Sequence, residues 1–398
     1  MTTIAKVAGG LLAIAMAAAT HAQCNQGDVN GDGVVNGVDL AVVLANWGET
    51  CPAVITSVTP GVGLPAGGTA ITITGQQLGG VQSVTIGGVA ATNVVGVNPT
   101  TITAVTPPSK SLGAKDVVVT TTAGTATLVG GFTYAQIEWG TVIEMLPDPA
   151  VVTNAGLRAA IIATGLPWRV RDNASQIEML LVPPGTFMMG CSPSLQHGCN
   201  ADENPVHEVT LTQAYYLGRY EVTQAQWTAV MGSNPSQFQG QADSPSRPVE
   251  KVSWNMIQGF ETATGLRLPT EAEWEYACRA GTTTAFNNGS NDDATLGTLA
   301  WFNANAGSQT RPVGQKLANA LGLHDMHGNV WEWVEDWYGS DYYAQSPAVD
   351  PPGPITATSR VLRGGSWYDY SFYCRASFRV DYPGDGGDNL GFRVAKTP

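Results

Sequence analysis

Between Ala53 and Ala135 the chain carries only three charged side chains, Lys110, Lys115 and Asp116. Short alternating runs fill this stretch: TAITITG, SVTIGG, TITAVTPP and DVVVTT, separated by Gly, Pro and Asn. Period-two alternation places every second side chain on one face, so each run reads as a half-buried strand and the punctuation as turns. A long series of such runs predicts a β-sandwich. No acid, His or Cys constellation occurs in it, so this segment is expected to act as a spacer or adhesion module.

The whole chain, at 398 residues, is too long for one ordinary core and implies several domains. Forty-seven glycines and 24 prolines predict many turns and little long helix. The net charge of −13 repels polyanions, which excludes nucleic acid as a natural partner, whereas carboxylate-rich loops suit calcium. The N-terminus reads as a secretory signal over residues 1–22. Lys6 supplies the positive region, VAGGLLAIAMAAA the apolar core, and Ala22 the residue before cleavage. That run is too short to span a bilayer, and no other transmembrane segment is expected. A secreted or cell-surface protein with an even number of cysteines, six, is expected to form disulfides.

Residues 23–52 contain GDVNGDGVVNGVDLAVVLANWG. Oxygen ligands fall at Asp28, Asn30, Asp32, Asn36 and Asp39, the Val34 carbonyl adds another, and Gly33 gives the sharp turn of a calcium loop. Leu40, Val43, Leu44 and Trp47 then recur at helical spacing. This small EF-hand-like calcium unit resembles one half of a type I dockerin, which implies a cohesin-like protein partner. Cys24 and Cys51 bracket it and are placed to staple a unit too small for its own core. The segment 53–135, with ITSVTPGVGLPAGGTAITITGQQL and the closing GGFTYA, resembles the immunoglobulin-like IPT/TIG family. Residues 136–173 read as a connector with a short helix in NAGLRAAIIATG.

From 174 to 398 the motifs LLVPPGTFMMG, ENPVHEVTL, YEVTQAQW, RLPTEAEWEYACRAG, GLHDMHGNVWEWVEDWY, VLRGGSW and NLGFRV follow in order. The region resembles the formylglycine-generating enzyme (sulfatase-modifying factor) family. The resemblance implies an irregular α+β fold of the C-type-lectin-like kind, with bound calcium held by Glu332 and the carbonyls of Gly328 and Val330. In LPTEAEWEYA, Thr270 and Glu273 have the spacing of a helix capping box, a structural explanation that needs no catalysis. His324 and His327 are spaced H-x-x-H, but no further His or Cys follows nearby, so zinc is not expected.

In active members of that family, two cysteines after the GGS element hold Cu(I), which activates oxygen to convert a substrate cysteine to formylglycine. Counted from Ser366, the first position is Asp369 and the second Cys374. A hard carboxylate is a poor ligand for a soft ion. Trp333, Ser366 and Tyr373 match the family's site, while Tyr370 stands where a His is usual. A second alignment within the same resemblance pairs Cys374 with Cys278 as a structural disulfide, and Cys191 and Cys199 are spaced to close a local loop. The expectation is therefore a non-catalytic, calcium-stabilised module that recognises a glycan or protein through Trp367, Tyr368, Asp369 and Tyr370. The alternative is a copper-dependent formylglycine-generating oxidase with Cys374 as its thiol.

Overall fold

The computed structural model describes residues 52–134 and 137–398 and divides into two units after Gln136. The signal sequence, the calcium loop Asp28–Asp39 and the Cys24–Cys51 pair lie outside the described residues.

In the first unit the alternating runs become two sheets. One orders β1 (Val54–Thr59), β3 (Ala70–Gln76), β7 (Thr101–Val105) and β6 (Thr92–Asn98). The other orders β2 (Val62–Gly63), β9 (Gly124–Tyr134), β8 (Gly113–Thr121), β4 (Val81–Ile86) and β5 (Val89–Ala90). Ile71 and Ile73 on β3, Ile102 on β7, Val117 and Val119 on β8 and Phe132 on β9 fill one core between them. Apolar residues at i and i+2 put one whole face of each strand out of water, which fixes the register. The Tyr134 hydroxyl, buried at the end of β9, donates to the Pro107 carbonyl at 2.6 Å.

The second unit starts at Ile137, not near residue 174. The segment read as a connector is part of it. β10 (Gly140–Glu144) pairs with β11 (Arg169–Asp172), and β11 with β12 (Glu178–Val182). The physical reason is burial: Trp168 and Val170 lie in the main core, and Arg169 ties Glu144 to Glu178 across the strands. Asn154 caps the intervening helix α1 (Ala155–Ala163) by accepting from the Leu157 N–H. The sheet continues through β15 (Tyr215–Gly218) to β20 (Ala395–Lys396), so the C-terminal strand closes it.

A hairpin of β13 (Gly185–Met189) and β14 (His207–Leu211) follows in the chain, then three short helices: α2 (Gln224–Met231), α3 (Trp254–Thr264) and α4 (Glu271–Arg279). A second sheet orders β18 (Arg379–Tyr382), β17 (Arg360–Arg363), β16 (Trp331–Trp337) and β19 (Leu390–Gly391). The capping box at α4 forms as expected, with Thr270 accepting from the Glu273 N–H and Glu273 from the Thr270 N–H.

With so much irregular backbone, many main-chain carbonyls lack ladder partners, and buried arginines supply the missing donors. Arg363 donates to the carbonyls of Ala376, Ser377 and Phe378, and to Glu275. Arg375 pairs with Glu203, Arg379 with Glu271 and Arg393 with Glu332, all within the core. Glu271 and Glu275 of α4 are thus committed to structure.

Candidate functional site

The loop after β17 carries the residues that the sequence singled out. Gly364 and Gly365 both take positive φ. A Cβ at Gly365 would stand 2.7 Å from the Cys374 sulfur, so only glycine lets the two ends of the loop approach this closely. Ser366, fully buried, donates its hydroxyl to the Asp369 carboxylate. The Trp331 indole also lies beside that carboxylate and favours its ionised form. Burial raises the Asp369 carboxyl above its usual range, against the pull of these two donors.

Trp333, assigned to the site from the sequence, does not belong to it. Its indole N–H donates to the Val252 carbonyl at 3.0 Å, and its ring meets Tyr382 in the core. Trp331, two residues earlier on β16, is the tryptophan at Asp369. The spacing of WEW offered no means of choosing between two rings on one strand face.

Cys374 is wholly buried, in a small cluster with Ala285, Phe286, Leu296, Leu299 and Ala300. Burial, then the Asp369 and Asp293 carboxylates, push its thiol well above the ordinary range. Such a thiol is neutral and a poor nucleophile or ligand.

The expected Cys278–Cys374 disulfide is absent: both are free thiols. The two sulfurs face different neighbourhoods, Cys278 in the main core and Cys374 in the small cluster. His327 joins them instead. Its Nδ1 lies 2.7 Å from the Cys374 carbonyl, and its Nε2 accepts from the Asn287 N–H at 3.2 Å, with the Cys278 sulfur 3.8 Å away. Burial pushes this imidazole down to about 4, so it is neutral, with Nδ1 as the donor. Cys191 and Cys199 do form a disulfide. Its loop folds against the site, since His197 lies 3.5 Å from Asp293 and its ring is edge-on to Phe372.

The aromatic stripe divides into two kinds of residue. Tyr368 and Tyr370 are 64% and 67% exposed, and Tyr373 is partly so. Trp367 is buried, donating to the Asp388 carbonyl and packing on Phe238. Phe372 packs edge-on against Phe378, with the Arg375 guanidinium above its ring. Asn303, which no motif marked, accepts nothing from the tyrosines but pins their backbone: its N–H donates to the Asp369 carbonyl and its amide to that of Tyr368.

The expected calcium ligands lie in one buried region. Both oxygens of Glu332 already receive Arg393, and one also receives the Trp274 indole. Two further carboxylates share that single guanidinium, Glu221 and Asp325. Glu221 accepts from the Val330 N–H and the Asn329 amide, and burial followed by its acidic neighbours raises it well above its usual range. Asp325 accepts from the Gly314 N–H through Oδ2, while its buried Oδ1 has no partner. Arg393, with Lys316 also acting on Asp325, faces three carboxylates, and the orphaned Asp325 oxygen is the one side-chain donor there with a free position for a hard cation. Among the described residues no three His, Cys, Asp or Glu side chains are grouped to hold a metal, so a cation here would have to draw on main-chain carbonyls as well. Asp325 lies inside the same motif as Glu332, and its carboxylate was the signal to read.

Residues 53–134 match the IPT/TIG domain model, and residues 167–398 match the model described as sulfatase-modifying factor enzyme 1-like domain. The chain is 38% identical over 313 residues to the formylglycine-generating enzyme of Streptomyces coelicolor, covering 63% of this chain and 95% of that one. It is 31% identical over 280 residues to a protein of Paenibacillus barcinonensis named chaperone protein LppX, covering 55% and 89%. Among solved structures, Treponema denticola variable protein 1 matches with a TM-score of 0.51 at 33% identity, over 56% of this chain and 95% of that one. PvdO from Pseudomonas aeruginosa matches with a TM-score of 0.50 at 29% identity, over 58% and 98%. The chain therefore belongs to the sulfatase-modifying factor family through residues 167–398, a C-type-lectin-like α+β domain preceded in sequence by an immunoglobulin-like IPT/TIG domain.

Proposed function

We propose that the family domain of this chain is a non-catalytic, calcium-stabilised module that recognises a glycan or protein ligand outside the cytoplasm. One observation carries the reading. At the positions of the family's copper-binding thiols stand a carboxylate already bonded by Ser366 and a buried, neutral thiol. Soft Cu(I) needs two thiolates, and these residues do not fit it, so no oxidative step is derived through copper. The exposed Tyr368 and Tyr370, held on a pinned backbone, supply a recognition surface instead.

Calcium fits the region of Glu221, Asp325 and Glu332, where Asp325 and the carbonyls of Gly328 and Val330 would hold it and its charge would offset the excess of carboxylates. The names of related proteins, an enzyme, a chaperone protein and a variable protein, support a fold that serves more than one role. The N-terminal apolar run and the Cys191–Cys199 disulfide support export. Among the described residues no helix is long and apolar enough to cross a membrane. The dockerin-like segment would then dock a cohesin-like partner.

The free thiol of Cys374 favours the alternative, a copper-dependent oxidase acting on a sulfatase cysteine. A direct test separates the two. The full chain is incubated with Cu(I), oxygen and a sulfatase-type cysteine peptide, and the peptide mass is followed. The expected result is an unchanged cysteine; catalytic conversion to formylglycine would sink the binding reading.

A further inference from the structure

A cleft of about 640 Å³ opens between one face of α2 and the loop that follows it. Its volume falls within the roughly 300–1,000 Å³ typical of small-ligand sites. Ala225, Thr228 and Ala229 form the floor, at helical spacings that share one face. The opposite wall is Gln239–Gly240–Gln241 with Ser244 and Pro245, and Asn234 closes one end.

The wall is fixed from behind. Gln224, buried at the start of α2, donates to the Phe238 and Pro248 carbonyls, and its Oε1 accepts from the Asn234 amide at 2.9 Å. Arg247 is 2% exposed; it pairs with Asp243 and donates to the Gln241 side-chain oxygen at 2.6 Å. Ser244 accepts from the Gln241 N–H and donates to the Phe238 carbonyl. A wall whose amides are already oriented loses little freedom when a ligand arrives. Gln239 is exposed beside it.

The lining contains no Asp, Glu, Lys, Arg or His. An ionic ligand would find no counter-charge in the lining, and the Arg247 guanidinium behind the wall is already paired to Asp243. Gln241 also donates to Gln309, and Asn234 also accepts from the Ser236 N–H, but each of these amides keeps a second N–H and a second acceptor position, and Gln239 adds its own, above a floor of small methyl groups. That pattern suits a ring with hydroxyls around its edge and C–H groups on its face. The loop also connects to the aromatic surface: Phe238 packs edge-on against Trp367 at 5.3 Å, and Trp367 against Tyr368 at 5.6 Å.

We propose that this cleft is a subsite for a neutral oligosaccharide, with the hydroxyls bound by the amides of Asn234, Gln239 and Gln241 and one ring face lying over Ala225 and Ala229. The inference rests on the binding reading of the domain and names its ligand class. A peptide is the less favoured occupant, because the lining provides neither a charged group nor a deep apolar pocket for side chains.

The test uses the full chain and neutral tetrasaccharides of glucose, mannose, xylose and galactose, with uronic-acid and sulfated tetrasaccharides as controls, read by titration calorimetry. Ala229→Trp fills the cleft from an exposed helix position, with circular dichroism as the check on folding. The expected result is binding of at least one neutral sugar, weakened by at least about tenfold in Ala229→Trp and unchanged in Ile355→Ala, an exposed loop position outside both surfaces. Binding lost in Tyr368→Ala but kept in Ala229→Trp overturns the subsite while leaving the binding reading intact. Binding of acidic sugars alone, or of none, also overturns it. Conversion of the cysteine peptide in the separate assay would overturn the non-catalytic reading without touching the cleft.

Discussion

The Ser366 hydroxyl is bonded to the Asp369 carboxylate, so the loop that presents a pair of thiols in catalytic relatives is here locked around an acid. The lock leaves Cys374 without a second sulfur, and burial keeps its thiol protonated.

Asp369→Cys is therefore expected to create what the wild type lacks. Two cysteines would then stand at the family's spacing, and soft sulfur would replace the hard oxygen. Competition with a Cu(I) chelator should detect stoichiometric copper in the variant and none in the wild type. Equal copper binding by the two chains would show that Asp369 is not what removes the metal.

Thiol mapping distinguishes the His327 arrangement from the disulfide that the sequence suggested. Burial pushes Cys278 up to about 12 and raises Cys374 well above its ordinary range, so both should resist alkylation in the folded protein. In denaturant without reductant both should label fully, with Cys191 and Cys199 recovered as a linked pair. A Cys278–Cys374 linked peptide would overturn the assignment.

Much of this was legible in the sequence because it is local. The alternation in TAITITG gives the strand β3, and T-x-x-E gives the cap of α4. What was not legible depends on contacts between distant segments. Nothing in WEW tells whether Trp331 or Trp333 faces residue 369, because side chains two apart share a strand face. Cys278 and Cys374 were paired by resemblance, but the Cys278 sulfur meets one ring nitrogen of His327 and the Cys374 carbonyl meets the other, a fact of three-dimensional packing. The cleft beside α2 was invisible for a related reason. Its residues are common amides and alanines with no motif, and Arg247 orients them from behind.

Calcium should raise the melting temperature, and chelation should lower it. A bound ligand present at about a hundred times its Kd adds about 2.7 kcal/mol. Asp325→Asn removes one carboxylate but retains an acceptor for the Gly314 N–H, so it should reduce the calcium-dependent part without abolishing the fold. Thermal melts with and without chelator, on both chains, check this. An increment of the same size in Asp325→Asn would place the metal elsewhere in the protein.

Asp336 sets a pH dependence of the opposite sign to that of an ion-paired acid. It is buried, accepts from the Glu271 N–H, and is pushed up to about 8, first by burial and then by the Glu271 charge. In the unfolded chain its carboxyl ionises near its ordinary value of 3.8. Between those two values the folded state holds a proton that the unfolded state has lost. Stability thus falls as pH rises through this window, and above it the full cost remains. Asp336→Asn keeps an oxygen for the Glu271 N–H and removes the titration. The variant should melt close to the wild type near pH 4 and be more stable at pH 8, by on the order of 5 kcal/mol. Denaturant titrations at the two pH values give the difference directly. A stability gap that does not widen between them would mean that Asp336 is ionised in the folded protein across the whole range.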